Sequence, residues 1–185
     1  MMFNIRGREI EHMNILSQTT KRHWLLAGSA ALLISACGQS GTVKNEDGST
    51  TTYSTSQTSD GGQVDVETKD GKMTSKVGSD LKVDMPEGYK IYPGSQVIGN
   101  TKVDTGEGVT YQIMSMAPGD VDEVLAFYRK QAENDGVTIS NETSIDGSKF
   151  IGGERKDGGT VTVQVVKSDD GGTMATFTLS SIVVK

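Results

Sequence analysis

One cysteine, one tryptophan and two histidines are all that 185 residues hold of those types, and each scarcity closes off some chemistry. A single cysteine excludes an intramolecular disulfide. Both histidines, His12 and His23, precede that cysteine at position 37, as does Trp24. The chain beyond Cys37 therefore has no imidazole, no indole and no further thiol. This excludes from it Ser-His-Asp and Cys-His nucleophilic catalysis, zinc sites built from Cys and His and haem ligation by histidine. Carboxylates, lysines, serines and tyrosines remain. Long apolar runs are missing as well. The longest, WLLAGSAALLISA at 24–36, has 13 residues, whereas a spanning helix needs about 20.

What surrounds that run has a readable order. Lys21, Arg22 and His23 precede it, so a basic stretch leads into a short uncharged apolar one, the arrangement of an export signal. Ile34, Ser35, Ala36 and Cys37 close it: aliphatic, small, small, cysteine. These four residues resemble the lipobox of bacterial lipoproteins. The resemblance implies that Cys37 carries lipid, that the chain is cut between Ala36 and Cys37, and that 1–36 is a signal peptide. The blander readings of a lone cysteine are a buried inert residue or a bridge between molecules. The first residues, MMFNIRGREIEH, fit no region of such a signal, and a start at Met13 would leave an ordinary short basic segment. Gly38 stands where an aspartate would be the familiar inner-membrane retention signal, so the same resemblance implies the outer membrane, facing the periplasm.

Removing 1–36 takes Arg6, Arg8, Lys21 and Arg22 from 18 basic residues and Glu9 and Glu11 from 24 acidic ones. That leaves 14 and 22, a formal charge of −8. An acidic surface repels phosphate backbones and anionic headgroups. Nucleic acid is excluded as a partner, and membrane attachment has to come from the lipid on Cys37. At about 0.8 kcal/mol per buried methylene one acyl chain anchors only marginally, while two or three hold for long periods.

The residues after Cys37 change character near position 80. From 41 to 80 the chain is rich in Ser, Thr, Gly and Asp, beyond a short tether at 37–40. Such a composition buries little apolar surface against its ordering entropy. Yet QVDVETKDGKMTSKV at 63–77 alternates, placing Val64 and Val66 opposite Met73 and Val77 around Asp70-Gly71, a hairpin signal. TVKNEDGSTTTY around Asp47-Gly48 repeats it more weakly. The choice for 41–80 lies between polar hairpins and a flexible tether. The Asp-Gly turns also invite a calcium reading. Aligning Gly48, Gly147 or Gly171 with the loop glycine, however, puts Val43, Glu142 or Val166 at the first ligand position, so plain turns are expected.

From 83 to 185 the pattern predicts an α+β domain, mostly antiparallel sheet packed by one helix. Tyr92-Pro93-Gly94 suits a type II turn, and GVTYQIMSMA at 108–117 alternates as a strand with Val109, Tyr111 and Ile113 on one face. A helix is expected at about 120–135. Asp120 caps it, Glu123 follows three residues on and Gly136 stops it. Val121, Val124, Leu125, Tyr128 and Ala132 form one apolar stripe. Strands are expected at 137–143, 149–155, 160–167 and 173–184, divided by Asp146-Gly147, Asp157-Gly158 and DDGG at 169–172. MPEGYKIYPGSQV at 85–97 and DVDEVLAFYRKQAENDG at 120–136 resemble a small module of uncharacterised Gram-negative envelope lipoproteins, with its Tyr-Pro-Gly and Phe-Tyr-Arg motifs. That likeness implies an α+β fold in the periplasm and offers no catalytic residues.

Candidate side chains within this domain are few. Tyr89, Tyr92 and Tyr111 present either a ligand surface or half-buried packing. Phe127 and Arg129 flank the apolar stripe and form either a docking patch or a wider packed face, with Arg129 paired to Glu133 at helical spacing. Paired carboxylates could serve glycoside hydrolysis, but an acidic chain offers such pairs everywhere. No enzyme, cofactor or metal is expected. The expected function is a lipid-anchored, non-catalytic interaction or scaffold module with a protein partner in the envelope, its sheet edge or helix face as the contact. The alternatives are a binder of a small ligand, sugar or cation, and a carboxylate-based cell-wall hydrolase.

Overall fold

Glycine in short acidic loops repeatedly turns this chain back on itself. In loops 45–49, 155–159 and 168–172 the first residue's N–H bonds the carbonyl four residues on, at 2.8, 2.7 and 2.8 Å. The fourth residue of each, Gly48, Gly158 or Gly171, has φ of 81, 84 or 88°, which side-chain-bearing residues rarely adopt. Asp146 and Gly147 both have positive φ, as a two-residue type I′ turn requires. The computed structural model describes residues 38–79, 81–83 and 85–182. In it these turns join β1 (Ser40–Lys44), β2 (Thr50–Thr58), β3 (Gly61–Thr68), β4 (Gly71–Gly78), β5 (Gln96–Asp104), β6 (Gly108–Ala117), α1 (Val121–Asn134), β7 (Thr138–Ile145), β8 (Ser148–Glu154), β9 (Thr160–Lys167) and β10 (Thr173–Ile182).

All ten strands form one antiparallel sheet in the order β1-β2-β3-β4-β5-β6-β10-β9-β8-β7. The chain meanders from β1 to β6, then α1 carries it across to the far edge. Strands β7 to β10 meander back until β10 pairs with β6, Phe177 opposite Ile113. The sheet is open, with β1 and β7 at its edges. The α+β class, mostly antiparallel strand with one helix among the described residues, is therefore what forms. Region 40–78 is four strands, and β4 pairs directly with β5 (Met73 with Val103), so the polar hairpins and the following strands share one sheet.

The helix follows its caps. Asp120 accepts a hydrogen bond from the Glu123 N–H at 2.9 Å. At the other end Gly136 (φ 79°) lets its own N–H reach the Glu133 carbonyl and that of Val137 reach Ala132, the Schellman pattern. The buried stripe is Val124, Leu125, Tyr128 and Ala132. It lies on β9 and β8, with touches on β10 and β7, against Ile151, Val161, Val163, Val165, Ala175 and Phe177. Tyr92-Pro93-Gly94 forms the expected turn, with Gly94 at φ 76° and the Ser95 N–H on the Tyr92 carbonyl at 3.0 Å.

The hairpin between β3 and β4 differs from expectation by its register. Its turn is Lys69-Asp70, and Gly71 is already paired with Thr68. Gly71 takes φ 154°, and a Cβ there would collide with the Asp104 carbonyl oxygen. Hence Val66 faces Met73, but Val64 faces Ser75 and Val77 faces Gly62. No described residue before Tyr89 is buried. Strands β1–β4 are held by ladder hydrogen bonds and polar cross-strand contacts instead of a core. The Asp65 carboxylate accepts from the Thr74 hydroxyl and the Gln63 amide, each at 2.6 Å, and these bonds hold its pKa below the ordinary carboxylate value.

Candidate functional site

Tyr89, Tyr92 and Tyr111 do not converge on a pocket. Tyr89 is buried, its ring 4.9 Å from that of Phe177 and its hydroxyl 3.0 Å from Asp135 Oδ2. The same Asp135 oxygen accepts from Arg155 at 2.9 Å, and Arg155 also reaches Asp157. Burial, then the Asp135 hydrogen bond, pushes the Tyr89 pKa upward. Tyr92 meets Phe127 edge-on at 5.3 Å, and Phe127 meets Tyr128 the same way. Tyr111 sits across the sheet beneath the Lys102 ammonium, 5.3 Å from its ring centre. Phe127 thus widens the packed face of α1. Arg129 reaches Glu133 only at 3.9 Å and makes its closer pair with Glu142 of β7 at 2.7 Å. These contacts lock the helix and the 85–95 segment onto the sheet. Gln131 adds a clamp, its amide bonding both backbone groups of Lys90 at 2.6 and 3.1 Å.

The side chains under the helix are buried. Val124 and Ile151 are 0% exposed and Tyr128 and Phe177 1%. Open grooves lie instead on the sheet. One of about 340 Å³ at the end of β3 and β4 is lined by Asp60, Gln63, Lys76 and Lys82 among others. Another, of about 330 Å³ near the β7 edge, is lined by Thr143, Ile145, Ser148, Phe150 and Gln164. Among the described residues no His, Cys, Asp and Glu side chains group as a metal site, and no helix is long and apolar enough to cross a membrane.

The most distinctive surface emerges from the register. Cross-strand partners share a face, so each strand residue can be assigned to the helix side or the open side. Lys44, Asp65, Glu67, Lys72, Lys76, Lys102 and Asp104 of β1–β5, with Glu142, Lys149 and Lys167 of β7–β9, all lie on the helix side. Of eleven charged residues in the strands, ten are there and only Glu154, at the rim, is on the other. The open face carries Thr, Ser, Gln, Val and Met. Along β10, for instance, Ala175, Phe177 and Leu179 are buried while Met174, Thr176 and Thr178 point out. Sequence reasoning picked out the inward alternation and passed over the uncharged outward positions, although TMATFTLSS shows both.

The predicted lipid site lies elsewhere. Ile34, Ser35, Ala36 and Cys37, with the cleavage point, fall outside the described residues. The first described residues are already fixed: Thr55 donates its N–H to the Gln39 carbonyl at 2.7 Å, the Gln39 N–H bonds Thr55 Oγ1 at 3.1 Å, and β1 begins at Ser40.

A family model described as START domain-like matches residues 97–172, from within β5 to the loop before β10. No curated protein and no solved structure matches the chain.

Proposed function

We propose that this protein is a lipid-anchored, non-catalytic interaction module of the bacterial cell envelope. It is exported by residues 1–36, acylated on Cys37 and held at the outer membrane facing the periplasm. The observation that carries the reading is the sequence Ile34-Ser35-Ala36-Cys37 standing three residues ahead of a hydrogen-bonded strand. With so short a link, the lipid would sit at the β1 edge of the sheet. Strands β1–β4 would then serve as a riser: five strand spacings of about 4.8 Å put β6 about 24 Å from β1. The absence of histidine beyond position 23 supports a binding role over catalysis. The test is Cys37→Ser with membrane fractionation. The parent should sediment with membranes and the variant should remain unprocessed or become soluble; an unchanged distribution and mass would refute the reading.

The START domain-like match favours one second reading, a small-ligand binder. Such a ligand would occupy a surface groove, such as the one lined by Gln63, Lys76 and Lys82. Thermal shifts against a panel of sugars, cations and lipids should then show a stabilising compound, and Lys76→Ala should abolish its effect. Absence of any shift would remove this alternative.

A further inference from the structure

We infer that the open, uncharged face of the sheet is the interface with a second copy of this chain. The face has two cross-strand rows at its apolar end. Met116, Met174 and Val166 run side by side across β6, β10 and β9, continuing through Ser148 to Ile145. Met114 and Phe150 lie one pair further along the strands, and Ile145 is 63% exposed. Nothing in the described chain covers them. Across β4–β1 the same face continues uncharged, with Val77, Val64 and Val43 exposed at 58, 39 and 51%.

Charge chooses the occupant. Two copies carrying a formal −6 each repel one another overall, and at this face, bearing only Glu154 at its rim, that repulsion is weakest. A bilayer is a poorer fit. Interfacial faces use Lys, Arg and Trp to meet headgroups, and the open sides of β5–β10 present none of these. Size agrees as well. Nine spacings of about 4.8 Å and about eight residues of 3.3 Å give a face of roughly 1,100 Å², against about 800 Å² per partner in a standard interface. Twisted sheets of this kind pack aligned, about 10 Å apart, and methionine side chains adapt to one another across such a gap. The groove between Ile145, Phe150 and Gln164 offers a recess for a side chain from the other copy. An isologous two-fold along the β1-to-β7 direction would place both β1 edges at the same end. That orientation, though not the pairing itself, rests on the lipid reading, since it lets both Cys37 anchors reach one membrane.

The test uses the full chain in its native membranes and exploits the shortage of thiols. Met174→Cys is treated with a short bis-maleimide, with the parent chain and Lys130→Cys, on the outer side of α1, as controls. The expected result is a product of twice the chain's mass from Met174→Cys and not from Lys130→Cys, lost when Phe150→Lys is added. A product of another mass, no product with ready labelling of Met174→Cys by a water-soluble maleimide, or labelling only by a lipid-phase reagent would each overturn the inference. The parent chain separates the two claims. If its Cys37 itself reacts, the lipid reading fails, whatever Met174→Cys shows.

Discussion

Replacing Phe177 with alanine is the sharpest probe of how the helix is held to the sheet. Phe177 is 1% exposed at the middle of β10. Its ring lies 4.9 Å from Tyr89, on the segment between β4 and β5, and 5.7 Å from Tyr128 on α1. Truncation removes the transfer free energy of the ring and leaves a cavity that three rigidly placed elements cannot readily close, for a cost of about 3–5 kcal/mol. The lost ring pairings, about 0.5–1.5 kcal/mol each, place the expected value toward the upper part of that range. For a body of about 150 residues this corresponds to a fall in Tm of roughly 10 °C. Urea titration followed by far-ultraviolet circular dichroism should show a lower midpoint with little change in slope. Lys130→Ala, on the exposed side of α1, should stay within about 0.5 kcal/mol of the parent. A Phe177→Ala loss below about 1 kcal/mol would refute the assignment of this ring to the centre of the core.

Other outcomes follow from single contacts. Gly71→Ala should destabilise the protein severely and Gly48→Ala by only about 1 kcal/mol. Both have positive φ, but a Cβ at Gly71 strikes the Asp104 carbonyl while one at Gly48 meets open space; equal melting temperatures would contradict this. Arg129→Ala removes an ion pair whose Glu142 partner is 60% exposed, so chemical denaturation should register less than about 1 kcal/mol. Burial raises the Tyr128 pKa, partly opposed by the Tyr92 N–H on its oxygen. The unfolded chain releases that proton near pH 10 and the folded chain only above it. Stability is therefore full below about pH 10 and declines as pH rises further. Tyr128→Phe should make that decline shallower in urea titrations at high pH, the remainder coming from Tyr89, whose pKa burial also raises; an unchanged decline would contradict this.

The elements legible in the sequence were those in which local signals agreed. Asp120, Glu123 and Gly136 bounded the helix to within a residue, and the alternation at 160–167 marked β9 at its observed limits. Asp146-Gly147 was read correctly because a two-residue type I′ turn is a local matter. At Asp70-Gly71 the same dipeptide shifted by one position, since the close approach of the Asp104 backbone makes Gly71 a strand residue instead of a turn residue. That approach comes from β5, more than thirty residues away, and no local pattern carries it. The insertion of β10 between β6 and β9 was hidden for the same reason. The tyrosines looked like ligand groups by type alone; their partners Phe177, Asp135 and Phe127 are brought to them only by the fold. The uncharged face appeared only once the register assigned every strand residue to a side.

The most direct measurement is the mass of the N-terminal peptide from protein isolated from its native membrane. The expected product is a chain beginning at Cys37 and heavier than its sequence by a diacylglyceryl group with or without a further acyl chain. A peptide that retains residues before Cys37, or one that shows an unmodified thiol there, would contradict it.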